Sequence, residues 1–167
     1  MLYHLAHFKE IFSPLNVLNY ITFRAGGSIL TAFFLTMLFG PRFIRFMKRN
    51  EVMQAIREEG PKTHQSKSGT PIMGGLLILV STALSTVLWA RLDNRFVWLA
   101  LATVIYLGVL GFMDDYRKWK YPKEFSKGMS PTKKIMAQLL LAIAVVTYLH
   151  LFPPNPEFST KISVPYT

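Results

Sequence analysis

Four stretches of this chain carry apolar side chains continuously, without the polar interleaving of a soluble helix or strand. They cover residues 20–39, 72–90, 96–113 and 135–152, and each predicts one transmembrane α-helix. Residues 72–90 and 96–113 contain no charged side chain. At about 1.5 Å per residue, an 18-residue helix spans roughly 27 Å, close to the hydrocarbon thickness of a bilayer. Gly40-Pro41 is expected to end the first helix, because proline does not easily continue one. Pro153-Pro154 follows the fourth. Arg24, near the start of the first helix, is placed to snorkel toward the headgroups.

The pattern therefore predicts an all-α integral membrane protein with four helices in a single membrane domain, residues 1–167. Residues 41–71 and 114–134 are expected to be loops. Residues 1–12, with His4, His7, Lys9 and Glu10, read as a short interfacial segment. They lack the apolar core of a cleavable signal peptide, so the first helix serves as the targeting element. The polar, proline-rich residues 153–167 end without a further helix, as if a larger protein had been cut in an outer loop.

Charge fixes the orientation. Of 19 Lys and Arg residues, fourteen lie in segments 41–71 and 114–134, and five lie elsewhere. The positive-inside rule places these two loops in the cytoplasm and both termini in the periplasm. Any chemistry is then cytoplasmic, since the 91–95 link on the other side is too short for a site. Mean hydropathy of +0.28 and 51% hydrophobic residues agree with the membrane class. In a soluble protein a net charge of +10 would suggest nucleic acid. Here the charges flank apolar runs, so anionic headgroups and phosphorylated substrates are the expected partners and nucleic acid is not. The absence of cysteine excludes disulfides and thiolate metal sites.

Within this frame Asp114-Asp115 stands out, closing an apolar run and opening the basic stretch Tyr116-Arg117-Lys118. Two carboxylates at the water boundary suit a Mg²⁺ ion, which typically uses one or two carboxylates plus phosphate oxygens and waters. The bland alternative is a solvated helix end, a position where carboxylates oppose the macrodipole. If the helix continues, the two side chains point about 100° apart, one toward a reaction and one toward a neighbour or metal. A second candidate is the polar stretch from His64 to Gly75. Lys67 is placed to neutralise a phosphate, Gly69, Thr70 and Pro71 shape a turn, and Gly74-Gly75 permits close approach of a helix or ligand. The bland alternative there is a loop, a helix start and a packing face. His64 and His150 read as a loop and an interfacial residue.

Taken together these motifs resemble the polyprenyl-phosphate N-acetylhexosamine-1-phosphate transferases, the glycosyltransferase 4 family. The matching stretches are Leu18-Asn19-Tyr20-Ile21-Thr22-Phe23-Arg24-Ala25, Gly40-Pro41-Arg42, Gly60-Pro61, Lys67 through Gly75, and Gly108 through Lys118. The wording of residues 67–75 is similar to the branch that transfers phospho-N-acetylmuramoyl-pentapeptide from its UDP carrier to undecaprenyl phosphate. That branch gives lipid I and UMP in peptidoglycan synthesis. The resemblance implies a bacterial inner-membrane enzyme of ten helices, of which this sequence matches the amino-terminal part. It implies Mg²⁺, undecaprenyl phosphate, UDP-MurNAc-pentapeptide and homodimers. Asp114 would assist the lipid phosphate as base or nucleophile, Asp115 would support the metal or substrate site, and Lys67 would hold phosphate charge. The family's later Asn- and Asp-rich motif, a further catalytic Asp and a His-rich loop have no counterpart here, so the chain alone is expected to be inactive. Ile72 also replaces the usual second Thr of Gly-Thr-Pro-Thr-Met-Gly-Gly. Two alternatives stand beside this reading: a sibling transferase using UDP-N-acetylglucosamine, and a non-catalytic four-helix protein that binds lipid or packs on a partner.

Overall fold

A computed structural model describes residues 2–5, 13–52, 73–121 and 128–153. The described residues form helices and short turns, with no strand among them. In chain order they are α1 (Leu2–Leu5), a 3-10 helix (Ser13–Asn19), α2 (Ile21–Arg49), α3 (Gly74–Trp89), α4 (Arg95–Lys120) and α5 (Pro131–Leu151). Helices α2, α4 and α5 are each long and apolar enough to cross a membrane. The chain is a multi-pass, all-α membrane protein. Helix α3 is apolar but has 16 residues, about 24 Å of rise, so it is the one expected crossing that falls short of a full span. Its expected start, residue 72, lies outside the described residues. Large apolar side chains such as Ile29, Phe33, Phe34, Met37 and Leu140 are exposed, as befits helices whose solvent is lipid.

Two helices outrun their expected ends. Helix α2 continues through Gly40-Pro41 to Arg49. Proline removes one N–H, the partner of the Met37 carbonyl, and membrane helices tolerate that loss where neighbouring groups compensate. The guanidinium of Arg42 donates to Leu38 O at 3.4 Å and that of Arg45 to Pro41 O at 3.3 Å, lining the helix just beyond the proline with donors. Lys48 and Arg49 occupy the last turn, where cations favour the helix dipole. Helix α4 likewise runs past Met113 to Lys120, with Arg117, Lys118 and Lys120 in its last turn. Residues 41–49, 114–120 and 131–134, expected in loops, are helical. The Asp pair therefore lies inside a helix, and the dipole penalty expected at a helix end does not apply to it.

The chain divides into two compact units, Met1–Met129 and Ser130–Thr167. In the first, α3 packs against both α2 and α4. Lipid offers no hydrophobic drive for this, so small residues and hydrogen bonds hold the interfaces. The Trp89 ring closes on Gly27, where a Cβ would meet three ring atoms at 2.6–2.7 Å. Trp89 Nε1 donates to Thr31 Oγ1 at 2.9 Å. One turn deeper, buried Ser85 donates to Ser28 O at 2.5 Å, which leaves the Ser28 hydroxyl to donate to Ser85 Oγ at 2.9 Å. On the other side of α3, Leu79 fills the space over Gly108. At the opposite end of this unit, buried Met47, Val52 and Met73 pack with Phe43, Tyr116 and Trp119. This cluster ties the end of α2 and the start of α3 to the last turns of α4, beside the Asp pair. The second unit contains α5, with Pro131 in its first turn and apolar side chains such as Ile135, Met136 and Ile143 exposed.

Candidate active site

Because α4 continues through Asp114-Asp115, the two carboxylates part company. Asp114 is buried, and Asp115 is about a third exposed. Asp114 Oδ1 accepts the Met129 backbone N–H at 2.5 Å. Asp114 Oδ2 meets the Lys118 ammonium at 2.7 Å, one helical turn on. Gly128 makes this clasp possible. Its φ of +73° is left-handed, and a Cβ there would overlap the Asp114 carboxylate and Lys118 Cε. Asp114 thus fastens residues 128–129 to α4.

Asp115 faces another way. Its Oδ1 stands 3.8 Å from Lys118 Nζ, too far for a hydrogen bond. It lines a cavity of about 340 Å³ between α3 and α4. The lining extends from Gly75 to Thr82 on α3 and from Asp115 back to Val104 on α4, a depth of roughly 10–17 Å by helical rise. Leu76, Leu79 and Val104 make its walls apolar, and Asp115 is the carboxylate among its lining residues. The wall beside Asp115 is stiffened by aromatic rings, with Phe112 stacked on Tyr116 at 5.9 Å and Tyr116 edge-on to Trp119 at 5.7 Å.

Of the sequence-predicted residues, the structure brings Gly75 and Asp115 to one cavity, with Gly74 next to Gly75 in the first turn of α3. A Cβ at Gly74 or Gly75 would meet nothing within 4 Å, so among the described residues these glycines serve no close helix–helix contact. Met73 precedes them in the left-handed region at φ 70°, an uncommon state for a side-chain-bearing residue. Lys67, Gly69, Thr70, Pro71 and Ile72 lie outside the described residues. Among the described residues no three His, Asp or Glu side chains gather.

Sequence reasoning missed the clasp. The Asp114–Lys118 spacing of four is readable on any helix, but only once α4 is known to continue. Gly128 ahead of Ser130-Pro131 signals a turn before a helix, and nothing in the sequence pairs that turn with Asp114.

No family model matches the chain. Curated relatives do. The chain is 49% identical over 167 residues to a phospho-N-acetylmuramoyl-pentapeptide-transferase of Endomicrobium trichonymphae, covering 99% of this chain and 46% of that protein. It is 42% identical to the protein of the same name from Desulfotalea psychrophila and 40% identical to that of Thermodesulfovibrio yellowstonii, covering 45% of each. The chain spans about half the length of the curated relatives it matches. Over nearly its whole length, then, it is a homologue of the phospho-N-acetylmuramoyl-pentapeptide-transferases.

Proposed function

We infer that this chain supplies part of a transferase that moves phospho-N-acetylmuramoyl-pentapeptide from UDP to undecaprenyl phosphate, releasing UMP. The observation that carries this is identity of 40–49% across 99% of the chain, joined to a carboxylate at the head of an apolar cavity. The reaction needs a prenyl chain in lipid, its phosphate at the water boundary and a nucleotide sugar arriving from the cytoplasm. The cavity between α3 and α4 offers apolar walls for part of a prenyl chain and Asp115 for the phosphate end.

An oxygen of the lipid phosphate attacks the phosphorus that bears the sugar. The new P–O bond forms as the bond to UMP breaks. Asp115 stands where a carboxylate can take a proton from the lipid phosphate or ligate a cation shared with it. A Mg²⁺ there would spread the charge that builds on the diphosphate, and a single protein carboxylate with phosphate oxygens and waters fits that ion's habits. Asp114 is already committed to Lys118 and Met129, so its part is to hold Lys118 beside the site. The first-turn amides of α3, around Gly74 and Gly75, add positive potential near Asp115. Lys67, which precedes them in sequence, holds phosphate charge. Positioning and electrostatics supply most of the acceleration in such transfers.

The same reading places residues 1–167 in one membrane domain of a bacterial inner-membrane protein. The Asp pair faces the cytoplasm, both termini of this chain lie in the periplasm, and the assembled enzyme is a homodimer. A chimaera tests it: this chain replaces the matching segment of the Endomicrobium trichonymphae protein. Radiolabelled UDP-MurNAc-pentapeptide should yield labelled lipid and UMP only when Mg²⁺ and undecaprenyl phosphate are present. A chimaera that inserts in membranes at parental levels but transfers no label would count against the assignment.

A further inference from the structure

At the end of the first unit opposite the Asp pair, two arginines converge with no reaction to serve. The Arg24 guanidinium carbon lies 4.9 Å from the centre of the Tyr3 ring, and that of Arg91 lies 4.7 Å from the same centre. The two cations are therefore at most about 10 Å apart, roughly one Debye length at 0.1 M salt, and they repel. Asp93 sits 3.6 Å from Arg91 in a half-exposed pair and offsets one charge. Arg95, over the Phe96 ring at 5.0 Å, brings a third cation to the same end. Arg24 Nε is buried and has no hydrogen-bond partner among the described residues. Like charges this close, and a buried donor with no partner among the described residues, each cost free energy, which Asp93 and the Tyr3 ring offset in part.

A cavity of about 270 Å³ opens between these groups, lined by Arg24, Ser28, Thr86, Trp89, Arg91 and Asn94 among others. The hydroxyl protons in its lining are already committed. Ser28 pairs with Ser85, and Thr86 Oγ1 donates to Thr82 O. Asn94 Oδ1 accepts the Phe96 N–H as the cap of α4, which turns the amide NH₂ outward. The charged groups among its described lining residues are the two guanidinium groups, and the Asn94 amide adds a donor. Two guanidinium charges with no carboxylate among the described lining residues, at the level where α2 and α4 begin and lipid headgroups lie, suit an anion with several oxygens. Guanidinium groups match phosphate geometry, and aromatic stacking holds the Tyr3 side of both in place.

We propose that Arg24, Arg91 and Asn94 form a binding site for the headgroup phosphate of an anionic phospholipid, on the face of the membrane away from the Asp pair. The lipid's acyl chains lie along the exposed apolar faces of α2 and α4, and its phosphate neutralises the two arginines.

The test uses the full 167-residue chain in phosphatidylcholine nanodiscs containing a small fraction of phosphatidylglycerol, with native mass spectrometry counting retained lipid. Wild-type chain should retain phosphatidylglycerol selectively. Arg91→Gln, a half-exposed position with little effect on folding, should weaken retention about tenfold, as loss of a charged hydrogen bond does. The Arg24→Gln/Arg91→Gln double variant should lose selectivity, while Arg24→Lys should keep part of it. Circular dichroism checks that each variant keeps wild-type helix content. Inorganic phosphate is the second probe: if it displaces the lipid at millimolar concentration, the site takes soluble phosphate and the lipid assignment is overturned. Equal retention by wild type and Arg91→Gln would overturn the site itself.

Discussion

Replacing Asp114 by Asn should release residues 128–129 from α4 without unfolding the helix. Asn keeps the size of the side chain and can still accept the Met129 N–H, but it loses the charge that strengthens that bond and holds Lys118. Hydrogen bonds to charged groups contribute about 1.5–3 kcal/mol and neutral ones about 0.5–1.5 kcal/mol. The Lys118 side chain is 34% exposed, so solvent screens its part and the net loss is about 1–1.5 kcal/mol. Since 1.4 kcal/mol is tenfold in an equilibrium constant, the clasp should open about five to ten times more often. The assay is thiol labelling. The chain has no native cysteine, and Met129, 7% exposed, becomes the probe as Met129→Cys. Its maleimide labelling rate should rise by that factor in Asp114→Asn and stay level in Asp115→Asn. Gly128→Ala should raise it as well, because a left-handed φ costs alanine about 1 kcal/mol and the methyl displaces the carboxylate. An unchanged rate at position 129 in Asp114→Asn would refute the clasp.

At the α2–α3 interface, Gly27→Ala should lower stability by about 1–3 kcal/mol in denaturant titration, because the added methyl overlaps the Trp89 ring. Ser85→Ala should cost about 0.6 kcal/mol, with Ser28→Ala adding little more in a double-mutant cycle, since the two hydroxyls form one unit. Single cysteines at positions 62 and 123 should resist an impermeant reagent in intact cells, and those at 94 and 155 should react, following the asymmetry of the basic residues. Labelling of position 123 from outside would reverse the proposed orientation.

The apolar runs were legible because lipid leaves helices little choice. Every backbone group must be paired internally, so continuous apolar stretches became α2, α4 and α5. The helix ends were less legible. Pro41 reads as a stop in water, yet α2 passes through it, since a membrane helix tolerates one missing N–H and the packing of Met47 against Met73 holds the turns beyond it. The polar, basic residues after Met113 read as a loop, but their charges favour the carboxyl end of α4 and extend it. That extension sets where the two carboxylates lie. It turned Asp114 inward to Lys118 and Met129 and left Asp115 on the cavity. The pairing of Asp114 with Gly128 and Met129 depends on a positive φ at Gly128, and hydrophobic pattern says nothing about it. The contact of Gly75 with the Asp115 cavity was equally hidden, since it joins residues 40 positions apart through α3–α4 packing.

The measurement that bears most directly on the account is turnover of the Endomicrobium trichonymphae chimaera carrying Asp115→Asn, beside Asp114→Asn in the same background. If Asp115 meets the lipid phosphate or its cation, Asn at that position should cut kcat by about 10²–10⁴-fold at saturating substrate, the usual loss for a missing base. Asp114→Asn should cost far less, under about tenfold, because a clasp that opens ten times more often from a mostly closed state remains largely closed. Near-parental turnover in Asp115→Asn, with the chimaera inserted and folded, would contradict the assignment of Asp115 to the reaction.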